Sequence, residues 1–138
     1  MSKANDTEND VLAMVLKGID PAWRANANRY LSLHTGDPGE AGTQATSECA
    51  FTSYARVAVP LADWTDGGST FSNTNLEQFP QCTGGSETIT HVSIGELSTG
   101  TGQIFYSGAL NSSLAVSNGI QPQFAAASLT VLSRFMRR

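Results

Sequence analysis

Serine and histidine are the residues of this chain whose types could support covalent chemistry. The chain has two histidines, His34 and His91, and either Ser32 or Ser93 could pair with one of them as a nucleophile with its base. A hydrolase also needs an acid that orients the base, and the sequence contains no Gly-x-Ser-x-Gly nucleophile elbow. We therefore expect the histidines to make local structural hydrogen bonds. We expect no catalytic residue, and we expect that the protein is not an enzyme.

Metal binding is the second chemistry that these residues could support. His34 and Asp37 have His-x-x-Asp spacing, and Glu40 or Glu48 could complete a set of ligands. This segment has only one imidazole, and it lacks the Asp-x-Asp-x-Asp spacing of a calcium loop. We therefore predict no metal site and no cofactor.

The two cysteines, Cys49 and Cys82, lie far apart in the chain. A zinc site would need four ligands at close spacings, and a disulfide scaffold would be richer in cysteine. We predict that both are buried free thiols.

One helix precedes the segments that must position these residues. The helical pattern covers residues 5–17, and Gly18 fits the position that ends a helix. Thr7 followed by Asp10 is a loose variant of the capping box. Apolar residues recur close to a period of 3.6: Val11, Leu12, Met14, Val15 and Leu16. Two alternatives stay open, because the helix could pack on its own domain or dock on a partner.

Everything after Tyr30 has the pattern of short β-strands. The predicted strands are 30–34, 54–59, 70–72, 76–79, 88–97, 103–110, 114–117, 120–124 and 128–132. Turn signals such as Asn111-Ser112 and Asn118-Gly119 separate them. In the longest strand, alternation places Val92 and Ile94 on one face and Ile89 on the other. The pattern predicts an all-β fold, an antiparallel and jelly-roll-like β-sandwich with a short N-terminal α-helix.

The length of 138 residues predicts one domain with two appendages. We predict an N-terminal helical arm at 1–29, a β-sandwich domain at 30–133 and a basic C-terminal tail at 134–138. Residues 35–52 form a long loop of small polar residues.

The net charge of −4 disfavours a nucleic-acid partner, and no apolar run approaches the roughly 20 residues of a membrane span. No secretory signal pattern is present, so we expect folding in a cytoplasm.

The arm, the loop and the tail lie outside the strand pattern and are candidate partner-binding segments. Tryptophan is common at interface hot spots, although in a small domain it more often lies in or beside the core. The tail could grip an acidic neighbour, or it could be a frayed end that keeps the terminus soluble. We expect Arg56 to hydrogen-bond the long loop. The candidate partner-binding residues are Leu12, Val15, Leu16, Trp23, Asp37, Glu40, Arg134, Arg137 and Arg138.

Several segments together resemble a widespread family of small phage virion proteins. They are Leu-Ser-Leu-His-Thr-Gly-Asp-Pro-Gly-Glu at 31–40, Tyr-Ala-Arg-Val-Ala-Val at 54–59, Thr-His-Val-Ser-Ile-Gly at 90–95 and Tyr-Ser-Gly-Ala-Leu at 106–110. Members of this family are commonly labelled tail fibre or structural protein. The resemblance implies a β-sandwich and a place in the virion, and it brings no catalytic residues.

The size of the chain leads to a more specific hypothesis. Tail fibres are usually long and repetitive, whereas this pattern indicates one compact domain. We therefore expect a capsid decoration, or cement, protein on the capsid exterior that binds and stabilises the shell of major capsid protein. The expected assembly is a homo-oligomer, either a dimer or a trimer. The alternative is a tail fibre or tail-tip host-binding module, which would carry an exposed aromatic platform or an acidic pocket.

Overall fold

The computed structural model describes residues 1–132 of the chain. Ser133 and the predicted basic tail at 134–138, with Arg134, Arg137 and Arg138, lie outside the described residues. One α-helix, α1, spans Asn5–Lys17, and short 3₁₀ helices lie at Ala22–Ala25 and Leu61–Asp63. The strands are β1 Ser2–Lys3, β2 Asn28–His34, β3 Val57–Pro60, β4 Trp64–Asp66, β5 Thr70–Asn73, β6 Glu77–Gln78, β7 Glu87–Gly95, β8 Ile104–Val116, β9 Gln123–Phe124 and β10 Thr130–Leu132.

The strands form three antiparallel sheets. The main sheet has five strands in the order β1-β8-β7-β2-β3. A second sheet has the order β10-β5-β4, and β6 pairs with β9. The prediction of an all-β sandwich with antiparallel sheets and one short N-terminal helix is therefore confirmed.

The core packs against one face of the main sheet. Neighbouring strands bring their apolar residues together, because Leu31 pairs with Ile94 and Leu33 pairs with Val92. Side chains from the loops and short strands cover this face and are themselves almost fully buried: Cys49, Phe51, Phe79, Cys82 and Leu129. The longest strands therefore form the base of the core, and the irregular segments form its cover.

The central strand pair departs from the predicted alternation. Ile89 pairs with Leu114, but His91 pairs with Ala109, so the register shifts between them. The shift lets Ile89 join the buried core with Val92 and Ile94, although strict alternation assigns it to the opposite face. The predicted turn at 111–112 is wrong, because β8 continues through it as one strand.

The predicted helix and its C-terminal end are confirmed. Gly18 adopts φ 65°, in the left-handed region, and its N–H donates to Met14 O, which is the hydrogen bond of an αL helix end. The Ile19 N–H donates to Ala13 O. The predicted capping box is wrong, since the N-cap is Ala4 and no side chain caps the helix. Thr7 instead donates its hydroxyl hydrogen bond to Ile104 O at 2.9 Å and ties α1 to β8.

The start of the chain is also part of the main sheet. Ser2 pairs with Ser107 and Lys3 with Tyr106, so β1 forms an edge strand before the helix begins. The predicted strand at 54–59 begins only at Val57, because residues 54–56 approach the long loop instead. No helix among residues 1–132 is long and apolar enough to span a membrane.

Candidate functional site

His34 and Ser93 form the serine–histidine pair that the sequence allows. The Ser93 hydroxyl lies 2.8 Å from His34 Nε2, and His34 Nδ1 lies 2.8 Å from Thr46 O. Because a carbonyl oxygen only accepts, Nδ1 carries the proton and Nε2 accepts the serine hydroxyl. Both side chains are 0% exposed, so a substrate cannot reach the serine in this fold. The pair joins β2 and β7 to the long loop, which is the structural role expected for His34.

Stability should depend on pH through His34. Burial lowers the pKa of this imidazole from its usual 6.5. Below about pH 6.5 the unfolded chain therefore binds a proton that the folded chain does not, and the free energy of unfolding falls as the pH falls. We expect a slope of up to about 1.4 kcal/mol per pH unit from this group. Urea unfolding between about pH 7.5 and about pH 5 measures it.

The variants for this pH experiment are His34→Gln and, as the matched control, His91→Gln. His34→Gln removes the titrating group from the buried pair. The share of the pH dependence of the free energy of unfolding that comes from His34 should therefore disappear. The control keeps His34 and its two hydrogen bonds. An unchanged slope in His34→Gln would contradict the assignment.

Glu48 holds the end of the long loop against Arg56 and Tyr54. Arg56 Nε lies 2.7 Å from Glu48 Oε2, and Arg56 Nη2 lies 2.8 Å from Oε1, which makes a bidentate ion pair. The Tyr54 hydroxyl donates to Oε2 at 2.6 Å. The arginine side chain is 4% exposed and that of Glu48 is 16% exposed. The predicted hydrogen bond from Arg56 to the loop is confirmed, and the guanidinium also donates to Leu97 O and Gly100 O.

Gln44 is a second anchor of the same loop. Its Nε2 donates to Leu97 O at 3.1 Å, and its Oε1 accepts the Leu97 N–H at 3.0 Å. The side chain is fully buried against Gly95 and Gly102, where a Cβ atom would overlap it. The loop at 35–52 is thus fixed at its centre and at its end.

Asp37 and Glu40 do not form a metal site with His34. Asp37 Oδ1 accepts the Gly39 N–H at 2.8 Å, and Glu40 O accepts the Asn5 N–H. Both residues line a small recess on the surface, whereas His34 is buried beneath the loop. Within residues 1–132, no three His, Cys, Asp or Glu side chains are placed to hold a metal ion.

The two cysteines are free and buried, as predicted. Burial raises the pKa of the Cys49 thiol to about 12, and the nearby Glu87 and Glu48 carboxylates act in the same direction. Cys82 is 0% exposed, and its Sγ lies 3.1 Å from Gly84 O.

Neither thiol should react with a disulfide reagent while the protein is folded. Thiolate is the reactive form, and reagent must also reach the sulfur. We expect no labelling by Ellman's reagent at about pH 8 in buffer, and labelling of both thiols in denaturant. Rapid labelling of the folded protein would show that the cover over the core opens readily.

A stripe of apolar side chains on α1 faces solvent. Leu12 is 46% exposed, Val15 is 74% and Leu16 is 75%. Ile19, which follows Gly18 just outside the helix, is 53% exposed as well. The opposite side of the helix carries Thr7 and contacts β8. Helical spacing predicts the first three of these residues but not Ile19, because the helix ends before it.

Trp23 packs against its own domain. Its ring lies 4.6 Å from that of Phe105, and its Nε1 donates to Asp10 Oδ2 at 2.7 Å. Arg29 lies over the same ring at 5.4 Å. These contacts join the middle of α1 to the sheet, and they place Trp23 at the edge of the core rather than on the exposed apolar stripe.

A cleft of about 780 Å³ opens between α1, the main sheet and the β10-β5-β4 sheet. Its walls include five aromatic side chains: Trp23, Trp64, Phe71, Phe105 and Tyr106. No local sequence pattern predicts this cleft, because its residues come from segments far apart in the chain.

Comparison with known families extends over nearly all of the described residues. A family model described as podophage GP4 fiber I protein gp80 matches residues 2–132. No curated protein matches the chain. The matched range includes α1, the long loop and all three sheets.

Proposed function

Because the chain belongs to the family of podophage GP4 fiber I protein gp80, we propose that it is a tail-fibre component that docks on a neighbouring virion protein through α1. Membership of this family makes the chain a structural protein of the bacteriophage virion. The position within the particle and the use of α1 as the docking surface are the proposed parts. The size of the chain favours capsid decoration. The description of the family as a fibre protein favours a position in the tail, and we therefore place the tail first.

The exposed apolar stripe of α1 is the observation that carries the docking proposal. Apolar side chains at i, i+3 and i+4, here Leu12, Val15 and Leu16, are anchors with which a helix fills an apolar groove. Contiguous apolar surface on a small domain commonly marks an interaction site. The partner in this proposal is therefore another tail protein that offers an apolar groove. The helix is already formed and is tied to β8 by Thr7, so it needs little ordering on docking.

Capsid decoration remains the second candidate. Residues 1–132 form one layered domain without an elongated shaft, which suits a protein that covers a shell. The partner would then be the major capsid protein on the capsid exterior. Binding only to the assembled shell would stabilise it by about 2.7 kcal/mol per site at a free concentration of 100 Kd. Either position suits a homodimer or homotrimer.

Copy number and position in the particle test the proposal. Heads and tails are separated, and the chain is quantified in each fraction by mass spectrometry. A small number of copies in the tail fraction is the expected result. Hundreds of copies in the head fraction would instead assign capsid decoration, and absence from purified particles would contradict both candidates.

A further inference from the structure

We propose that the cleft between the two larger sheets binds a saccharide. The inference goes beyond the place of the chain in the virion, because it concerns a ligand of the isolated domain. The volume of about 780 Å³ lies within the range of small-molecule sites. The cleft is also open to solvent beside Phe71, which is 42% exposed. A ligand of one or two sugar rings could therefore enter without unfolding the domain.

The walls of the cleft offer flat apolar surfaces. Trp64 and Phe71 come from the β4–β5 hairpin, and Tyr106 comes from β8 of the main sheet. These two elements belong to different sheets, so they present aromatic groups from two sides of the cleft. Aromatic rings pack well on the C–H faces of a pyranose ring, while a tyrosine hydroxyl or an indole N–H can contact its polar edge.

The charged groups that line the cleft are of both signs. Lys3, Arg29 and the amino group of Met1 are cations, and Glu8 and Glu40 are carboxylates. An apolar ligand would remove such groups from water without giving them hydrogen bonds, which is costly. A strongly charged ligand would be repelled by the groups of its own sign. An uncharged ligand with hydroxyl groups suits groups of both signs, because a hydroxyl donates to a carboxylate and accepts from a cation.

Arg29 is already held in position for such a ligand. Its guanidinium lies 5.4 Å from the Trp23 ring centre and 5.3 Å from that of Phe105. Its Nη1 donates to the carbonyl of Trp23 and to two others in the same segment at 3.3–3.4 Å. No carboxylate within residues 1–132 forms an ion pair with it. The group is thus fixed by rings and carbonyls, and its remaining N–H groups are available to oxygen acceptors.

Trp64 supplies a second unused donor beside the cleft. Its indole N–H is buried and has no hydrogen-bond partner among the described residues. A buried donor without a partner costs about 1–3 kcal/mol. A hydroxyl oxygen of a bound sugar is the kind of acceptor that this donor lacks.

Binding of simple sugars to the full chain tests the inference. The probes are the methyl pyranosides of glucose, galactose, mannose, rhamnose and N-acetylglucosamine, observed by saturation-transfer NMR and by tryptophan fluorescence. We expect at least one of them to bind, and Phe71→Ala to weaken that binding about tenfold. Leu76→Ala is the matched control, because Leu76 is 48% exposed, close to the exposure of Phe71, and does not line the cleft.

Three outcomes would overturn the inference. One is the absence of saturation transfer to every glycoside, and another is binding that Phe71→Ala leaves unchanged. The third is binding of the apolar dye ANS in the cleft that no glycoside displaces, which would assign an apolar ligand. These results come from the purified chain, so they are independent of whether the protein is found in the tail or the head.

Discussion

Replacing Arg56 with alanine is expected to lower the free energy of unfolding by about 3–5 kcal/mol. The substitution leaves the Glu48 carboxylate, whose side chain is only 16% exposed, without its bidentate partner. It also removes the donors to Leu97 O and Gly100 O. Removing one member of a buried ion pair costs this much because the other charge stays in a poorly solvated site. Urea unfolding followed by circular dichroism measures the change.

Two further variants separate the ion pair from other effects of the substitution. Arg56→Lys keeps the positive charge but loses the planar fork that contacts both carboxylate oxygens, so we expect an intermediate loss of stability. Arg24→Ala is the matched control. Its pair with Asp20 has side chains that are 59% and 64% exposed, and such pairs contribute about 0–1 kcal/mol. Similar losses for Arg56→Ala and Arg24→Ala would show that the buried pair does not hold the loop.

A double substitution of Val15→Asp and Leu16→Asp is expected to remove most of the protein from the particle. Two carboxylates would replace apolar anchors at the centre of the proposed interface. Loss of one interface hot spot costs about 2 kcal/mol, which corresponds to about thirtyfold weaker docking. Folding should be little affected, because the side chains are 74% and 75% exposed. The readout is the amount of the chain in purified particles, measured against the major virion proteins.

Leu61→Asp is the control for the stripe. Leu61 is 48% exposed and lies in a 3₁₀ helix away from α1, so its replacement should leave incorporation unchanged. Normal incorporation of the α1 variant would show that the stripe is not the docking surface. Equal loss in both variants, with normal melting temperatures, would indicate that added negative charge alone impairs assembly.

The candidate docking residues show how far local pattern can reach. Leu12, Val15 and Leu16 were identified because an amphipathic helix has a recognisable period, and the structure places all three in solvent. The pattern could not show which side of the helix contacts β8. That contact depends on Thr7 reaching Ile104, which is 97 residues away in the chain. Asp37 and Glu40 lie on the long loop, as the sequence predicts. The recess that they line could not be predicted from the sequence.

Local sequence is enough to predict the helix and its end at Gly18, the β character of the rest, the burial of Cys49 and Cys82, and the attachment of Arg56 to the long loop. These features follow from periodicity, turn chemistry and residue type, which act over a few neighbouring residues. Long-range packing instead sets the register shift that buries Ile89, the pairing of His34 with Ser93 and the cleft. Each depends on which distant segments become neighbours when the sheets close around the core.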